Sequence, residues 1–163
     1  MINEQKKPNI DIEKVIHDYL PQIIHMSLAT SKDNKPWVCE VHFAYDDNLN
    51  LYFRSLTSRR HSQEIVANPS IAGNIIKQHS LEEYPLGVYF EGTAELMQPG
   101  AEQNKAAELI KERLRTTNDL LADAQLDDGH KFYKITVANW YVFGKLDGQG
   151  GKKYELKWNG GQK

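Results

Sequence analysis

Cysteine is nearly absent from this chain, with Cys39 alone among 163 residues. One thiol excludes an internal disulfide and a cysteine-rich zinc site, and it fits a reducing compartment, so a cytoplasmic location is expected. An excess of basic charge is missing too: 20 Lys and Arg stand against 22 Asp and Glu, for a net charge of −2 and a pI near 6.3. General binders of nucleic acid or of anionic membrane surfaces usually need a clear positive excess, so any basic site here must be local. No segment approaches the ~18 apolar residues that span a bilayer, and "MINEQKKPNIDIEK" lacks the apolar core of a signal peptide. The motifs HExxH, Walker A, GxGxxG and GxSxG are all absent, leaving zinc hydrolysis, NTP binding, dinucleotide binding and serine hydrolysis without support. Six histidines, at 17, 25, 42, 61, 79 and 130, are scattered without ligand spacing, so no metal site is expected.

What remains is a strand-rich pattern in a chain sized for one domain, read over 1–163. Apolar residues from Ile12 to Leu20 recur at helical spacing, with Asp11 as N-cap and Pro21 as stop, giving an N-terminal helix within 1–22. "IIHMSLAT" reads as a buried strand and "SKDNKP" as a turn. Strict alternation in "WVCEVHFAYDD" then puts Trp37, Cys39, Val41, Phe43 and Tyr45 on one face of a second strand. In "LNLYFRS", Leu49, Leu51 and Phe53 share one face, and Tyr52 and Arg54 the other. "SRRHSQEIVANP" reads as a short helix capped by Ser58. "SIAGNIIKQ" and "LGVYFEGTAELM" return to strand character. A helix follows over Pro99 to Arg115, then a short helix in "TTNDLLADAQLDDGH" and strand in "KFYKITVANWYVFG". The glycine-rich end, 146–163, is expected to be a loosely held tail with one edge strand in "KKYELKW". The sum is a mainly β chain, a small antiparallel barrel with peripheral helices.

The chemistry concentrates in "LYFRSLTSRRHSQEI". Three basic side chains, Arg59, Arg60 and His61, and three hydroxyls, Ser55, Thr57 and Ser58, gather where a helix begins, and a helix N-terminus offers free N–H groups and a partial positive charge. Arginine adds a planar fork that can hold two phosphate oxygens. The segment alone leaves two readings open, a phosphate cradle or a solvated helix start. Cys39, alternating with Val38 and Glu40 in a strand, reads as a small buried hydrophobe rather than a nucleophile.

The order of these pieces resembles the pyridoxamine 5′-phosphate oxidase-related family of FMN-binding split barrels. Pro36, Val38, Val41 and Phe43 match its "P-x-V-x-P-V-x-F" strand, Thr57, Arg60 and His61 its "T-x-x-S-R-K" segment, and Ala67, Asn68, Pro69 and Ile71 its "A-N-P-x-V" helix end. Gly92, Thr93 and Ala94 resemble its "G-x-A" strand, and "YKITVANWYVFGK" its closing strand, so the likeness runs from Ile23 to Lys145. His61 replaces the family's frequent lysine and Glu40 its frequent proline.

The resemblance implies a six-stranded antiparallel split β-barrel of Greek-key type, forming a homodimer with FMN in clefts at the subunit interface. It implies that Arg60 and His61, with Ser58 and Arg59, hold the phosphate, and that Arg54, Ser55 and Thr57 lie along the ribityl chain or phosphate. Val38, Cys39, Glu40 and Val41 are to line the flavin ring through backbone groups, with Trp140 of the other subunit as a cleft wall, its alternative place being the barrel core. The implied activity is that of an FMN-dependent oxidoreductase on a small molecule. The C-terminal arginine and histidine motifs that hold the phosphate of vitamin B6 are missing, so that substrate is not expected. The alternative is a non-catalytic barrel with haem, a deazaflavin or no cofactor, in a stress or regulatory role.

Overall fold

The structure, a computed structural model, describes residues 10–148 and 151–159. Helix α1 (Ile12–Tyr19) begins at Asp11, whose carboxylate accepts from Lys14 N–H at 3.0 Å, and runs into a single 3-10 turn at Leu20–Gln22. Strands β1 (His25–Lys32) and β2 (Lys35–Tyr45) form a hairpin through Asp33 and Asn34, both at positive φ, a conformation that suits a tight hairpin turn. After β3 (Leu51–Ser55) come α2 (Arg60–Ala67), β4 (Ser70–Ile76), β5 (Gly87–Leu96), α3 (Ala101–Leu114), α4 (Leu120–Gln125), β6 (Lys131–Gly144) and β7 (Lys152–Lys157). Among the described residues no helix is long and apolar enough to cross a membrane.

The sheet runs β3-β2-β1-β4-β5-β6-β7, and a further pairing of β3 with β6 closes six antiparallel strands into a barrel. β4 returns to lie beside β1, which is the Greek-key order. β6 is long enough to serve two neighbours on one edge: Lys131–Ile135 pairs with β3, and Asn139–Gly144 pairs with β7. β2 is divided in the same way. Phe43–Tyr45 pairs with β3, whereas Lys35–His42 is bonded to β1 alone and leaves its other edge without a strand. The barrel is split there.

Alternation accounts for both cores. Leu51 and Phe53 point into the barrel among Met26, Leu28, Phe90, Ile135 and Val137, and the Phe53 ring stacks on Tyr133 at 4.9 Å. Tyr52, from the opposite face of β3, joins Ala44 and Phe132 under Ala106, Ala107 and Ile110 of α3 and Leu120 of α4. Helices α3 and α4 therefore cover the face from which Arg54 emerges. In β5 a bulge at Glu91/Gly92 depends on glycine, because a Cβ at Gly92 would lie 2.1 Å from the Thr136 carbonyl oxygen.

Three expectations are corrected. Trp140 is not at a cleft wall: it is 0% exposed in the barrel core, with its ring 5.6 Å from Phe90, because it has the inward parity of Val142 on β6. The tail is held more firmly than expected, and the expected edge strand in "KKYELKW" is present as β7. β7 pairs with β6 along its length, and the buried Trp158 donates from Nε1 to the Asn48 carbonyl at 2.8 Å. α3 begins at Ala101 rather than Pro99, with Gly100 at its N-cap. Residues 149–150 and 160–163 of the expected tail, and 1–9 of the N-terminal segment, lie outside the described residues.

Candidate functional site

A cleft of about 680 Å³ opens on the outside of the barrel where the unpaired edge of β2 approaches the end of β3 and the start of α2. Its size lies within the range of about 300–1,000 Å³ common to small-molecule sites. Cys39, Glu40, Val41, Arg54, Ser55, Arg59, Arg60 and His61 all line it, so the structure brings together eight of the twelve anticipated residues. Val38, 60% exposed, and Thr57 and Ser58, on the exposed turn before α2, stand outside the lining, as does the buried Trp140.

Helix α2 begins one residue later than expected. Arg59, not Ser58, is its N-cap, and no side chain caps its first turn. Its first amides therefore stay open at the positive end of the helix. Arg59 is exposed and its side chain forms no ion pair among the described residues. Cations at this end of a helix are disfavoured by about 0.3–1 kcal/mol each, so Arg59 and Arg60 together make a position that an anion would relieve.

Arg60 is held more firmly than its neighbour. Its Nε donates to Glu64 Oε1 at 2.8 Å, and its guanidinium lies over the Trp37 ring, 4.4 Å from the centroid. Glu64 is buried, and its other oxygen accepts from Thr30 Oγ1 at 2.5 Å. The Thr30 hydroxyl first, and the Arg60 guanidinium second, hold the Glu64 carboxyl below its ordinary range.

Two of the anticipated phosphate or ribityl residues, His61 and Arg54, line the cleft and also have partners within the chain. His61 is not a free histidinium. It is 8% exposed, its Nε2 lies 2.7 Å from Ser55 Oγ, and burial, followed by the neighbouring Arg59 charge, lowers its pKa. The ring is neutral at pH 7, so the Ser55–His61 pair forms a polar floor rather than a charged arm. Arg54 is likewise committed: it pairs with Asp123 and donates to the carbonyls of Leu120 at 3.3 Å and His130 at 2.9 Å, with its guanidinium over Phe132. It fastens α4 to the barrel through Nη2, while its buried Nε has no hydrogen-bond partner among the described residues.

The opposite wall is β2. Glu40 accepts from Ser27 Oγ at 2.5 Å and remains largely exposed. Burial, then the Glu40 and Glu64 charges, push the Cys39 thiol up, so it is not a poised nucleophile. Sequence reasoning missed Trp37, His42, Leu114, Asn118 and His130 as lining residues, because they arrive from a strand face, a helix end and two loops that meet only in the fold. It also missed Glu64, although its i,i+4 spacing from Arg60 on a helix was a readable signal.

Chemically the cleft offers an anion-ready helix start with two arginines, a neutral hydroxyl and imidazole floor, and a strand edge with unpaired backbone groups. Among the described residues no cluster of ligating side chains could hold a metal ion.

Solved structures share this fold at low identity. A heme binding protein from Mycobacterium smegmatis matches with a TM-score of 0.73 and 13% identity, over 93% of this chain and 60% of that one. A conserved hypothetical protein from Mycobacterium tuberculosis gives 0.70 and 16%, over 91% and 95%. A FAD-binding protein from Mesorhizobium loti gives 0.65 and 18%, over 82% and 92%. No curated protein sequence matches. The pyridoxamine 5′-phosphate oxidase family matches residues 12–144, most of the chain and every strand of the closed barrel, and the chain belongs to that family.

Proposed function

We propose that the chain binds flavin mononucleotide in the split-barrel cleft and acts as a flavin-dependent oxidoreductase on a small molecule. The observation that carries this reading is the uncapped start of α2, where two arginines sit at the positive end of a helix beside a cleft of cofactor size. A phosphate there would meet the open amides of the first turn, the Arg59 charge and the Nη groups of Arg60. The neutral Ser55–His61 pair would supply hydrogen bonds beneath the ribityl chain without adding charge. The unpaired edge at Cys39–Val41 would offer backbone N–H and C=O groups to the polar edge of the ring. A bound flavin supplies hydride and electron transfer itself, which fits the lack of any acid, base or nucleophile motif. Glu40, where the family often has proline, would disfavour negative charge building on the ring.

The same edge supports a homodimer. Trp37 and Val38 are 40% and 60% exposed on a strand that lacks a neighbour, and proteins commonly cover such edges. A second copy would close the open side of the cleft.

Haem is the second reading, favoured by His42 and His130 in the cleft lining and by the heme binding neighbour. The absorption spectrum after adding each cofactor separates the two. Within the flavin reading, Arg60→Ala should weaken FMN binding about ten- to a hundredfold, from ~1.5–3 kcal/mol for a charge-assisted hydrogen bond. An unchanged dissociation constant, measured by fluorescence quenching, would place the phosphate elsewhere.

A further inference from the structure

We infer that Glu64 is a positioning residue for the phosphate-binding arginine, acting through a Thr30–Glu64–Arg60–Trp37 chain; the inference rests on the flavin reading above. Glu64 is a surprising neighbour for an anion site, because a carboxylate beside a phosphate repels it. Its geometry resolves the conflict. The residue is 5% exposed, and both carboxylate oxygens are occupied, one by Thr30 Oγ1 of β1 and the other by Arg60 Nε. The carboxylate is thus a fixed link between the barrel wall and the helix, not a group facing the cleft.

For Arg60 the consequences are geometric. A side chain with four rotatable torsions at the exposed start of a helix would lose substantial rotamer entropy on gripping a ligand. Here Glu64 takes Nε on one edge, and the Trp37 ring, at 4.4 Å, fixes the plane of the guanidinium. The two Nη groups carry the remaining N–H donors, the edge suited to paired phosphate oxygens. The arginine is ordered before the ligand arrives, so less is lost on binding. Arg59, with no such partner among the described residues, adds charge but not geometry.

Positioning and charge predict opposite signs, which makes the idea testable. Were Glu64 only a nearby negative charge, Glu64→Gln would tighten FMN binding. As a positioning residue, its change to glutamine replaces the charge-assisted bond to Arg60 Nε by a weaker neutral one, loosens Arg60 and weakens binding of the phosphorylated flavin alone.

The test is titration of the full chain with FMN and with riboflavin, followed by flavin fluorescence, in wild type, Glu64→Gln, Arg60→Ala and the double variant. Glu64→Gln is expected to weaken FMN about tenfold and leave riboflavin unchanged. In the Arg60→Ala background it should cause no further loss. Thr30→Val, which keeps the volume and the carboxylate but removes the anchor, should move FMN affinity the same way by a smaller factor. Unchanged or tighter FMN binding in Glu64→Gln overturns the inference. So does an equal loss for FMN and riboflavin, or a full loss that persists without Arg60. A wild type that binds FMN while these variants match it refutes the positioning role alone. A wild type that binds neither flavin removes the cofactor reading and this inference with it.

Discussion

Arg54 gives the most decisive structural prediction, because in the fold this cleft-lining residue is also a clasp. Its guanidinium ties β3 to α4 through Asp123, through the Leu120 carbonyl at 3.3 Å and the His130 carbonyl at 2.9 Å, and it covers the Phe132 ring. Arg54→Ala removes all four contacts. Each carbonyl bond contributes ~1 kcal/mol. The ion pair adds a further ~1 kcal/mol, since the Asp123 side chain is 40% exposed and solvent screens the charge. Loss of the clasp should therefore destabilise the cofactor-free protein by about 3 kcal/mol. At an m-value of ~2 kcal/mol/M, the urea midpoint should fall by about 1.5 M. Tm should drop by about 6–12 °C for a domain of this size. The assay is urea and thermal denaturation of wild type and variant without flavin. A loss below about 0.5 kcal/mol, combined with a large fall in FMN affinity, would refute the clasp and return Arg54 to ligand binding.

Trp140→Phe should cost about 1–2 kcal/mol of stability and leave FMN affinity unchanged, because the ring fills the barrel and its Nε1 has no hydrogen-bond partner among the described residues. Lost flavin binding in a folded variant would contradict that placement. Stability should fall as the pH drops below about 6.5, because the unfolded chain then takes up a proton at His61 that the buried native ring, with its lowered pKa, refuses until lower pH. His61→Gln should flatten that part of the denaturation profile, and identical slopes for the two proteins would show that another group controls it.

The fold was legible where alternation is strict. Leu51 and Phe53 against Tyr52 and Arg54 assign both faces of β3 from the sequence alone, and both faces are used, one in the barrel and one under α3 and α4. The Asp11 cap and the "KDNK" hairpin followed from local chemistry for the same reason. Residue roles in the site were less legible, because charge in a sequence carries no partner. Arg54, Arg60 and His61 look alike as basic residues near a turn. Arg60 is set apart by the i,i+4 spacing of Glu64, whereas Arg54 and His61 separate only when Asp123 and Ser55 arrive from α4 and β3. The Arg59 cap depends on where the backbone enters α2, which hydroxyl-bearing Ser58 did not reveal. The edge strand in "KKYELKW" was legible, but the glycines around it hid how firmly Trp158 anchors it.

The central claim is that the cleft beside α2 holds FMN. Adding FMN to the purified chain, removing free ligand by gel filtration and recording the visible spectrum tests it directly. The account predicts flavin bands that travel with the protein at one flavin per chain, and lose intensity in Arg60→Ala. Protein that emerges colourless after FMN, or that takes up haem and ignores flavin, would contradict it.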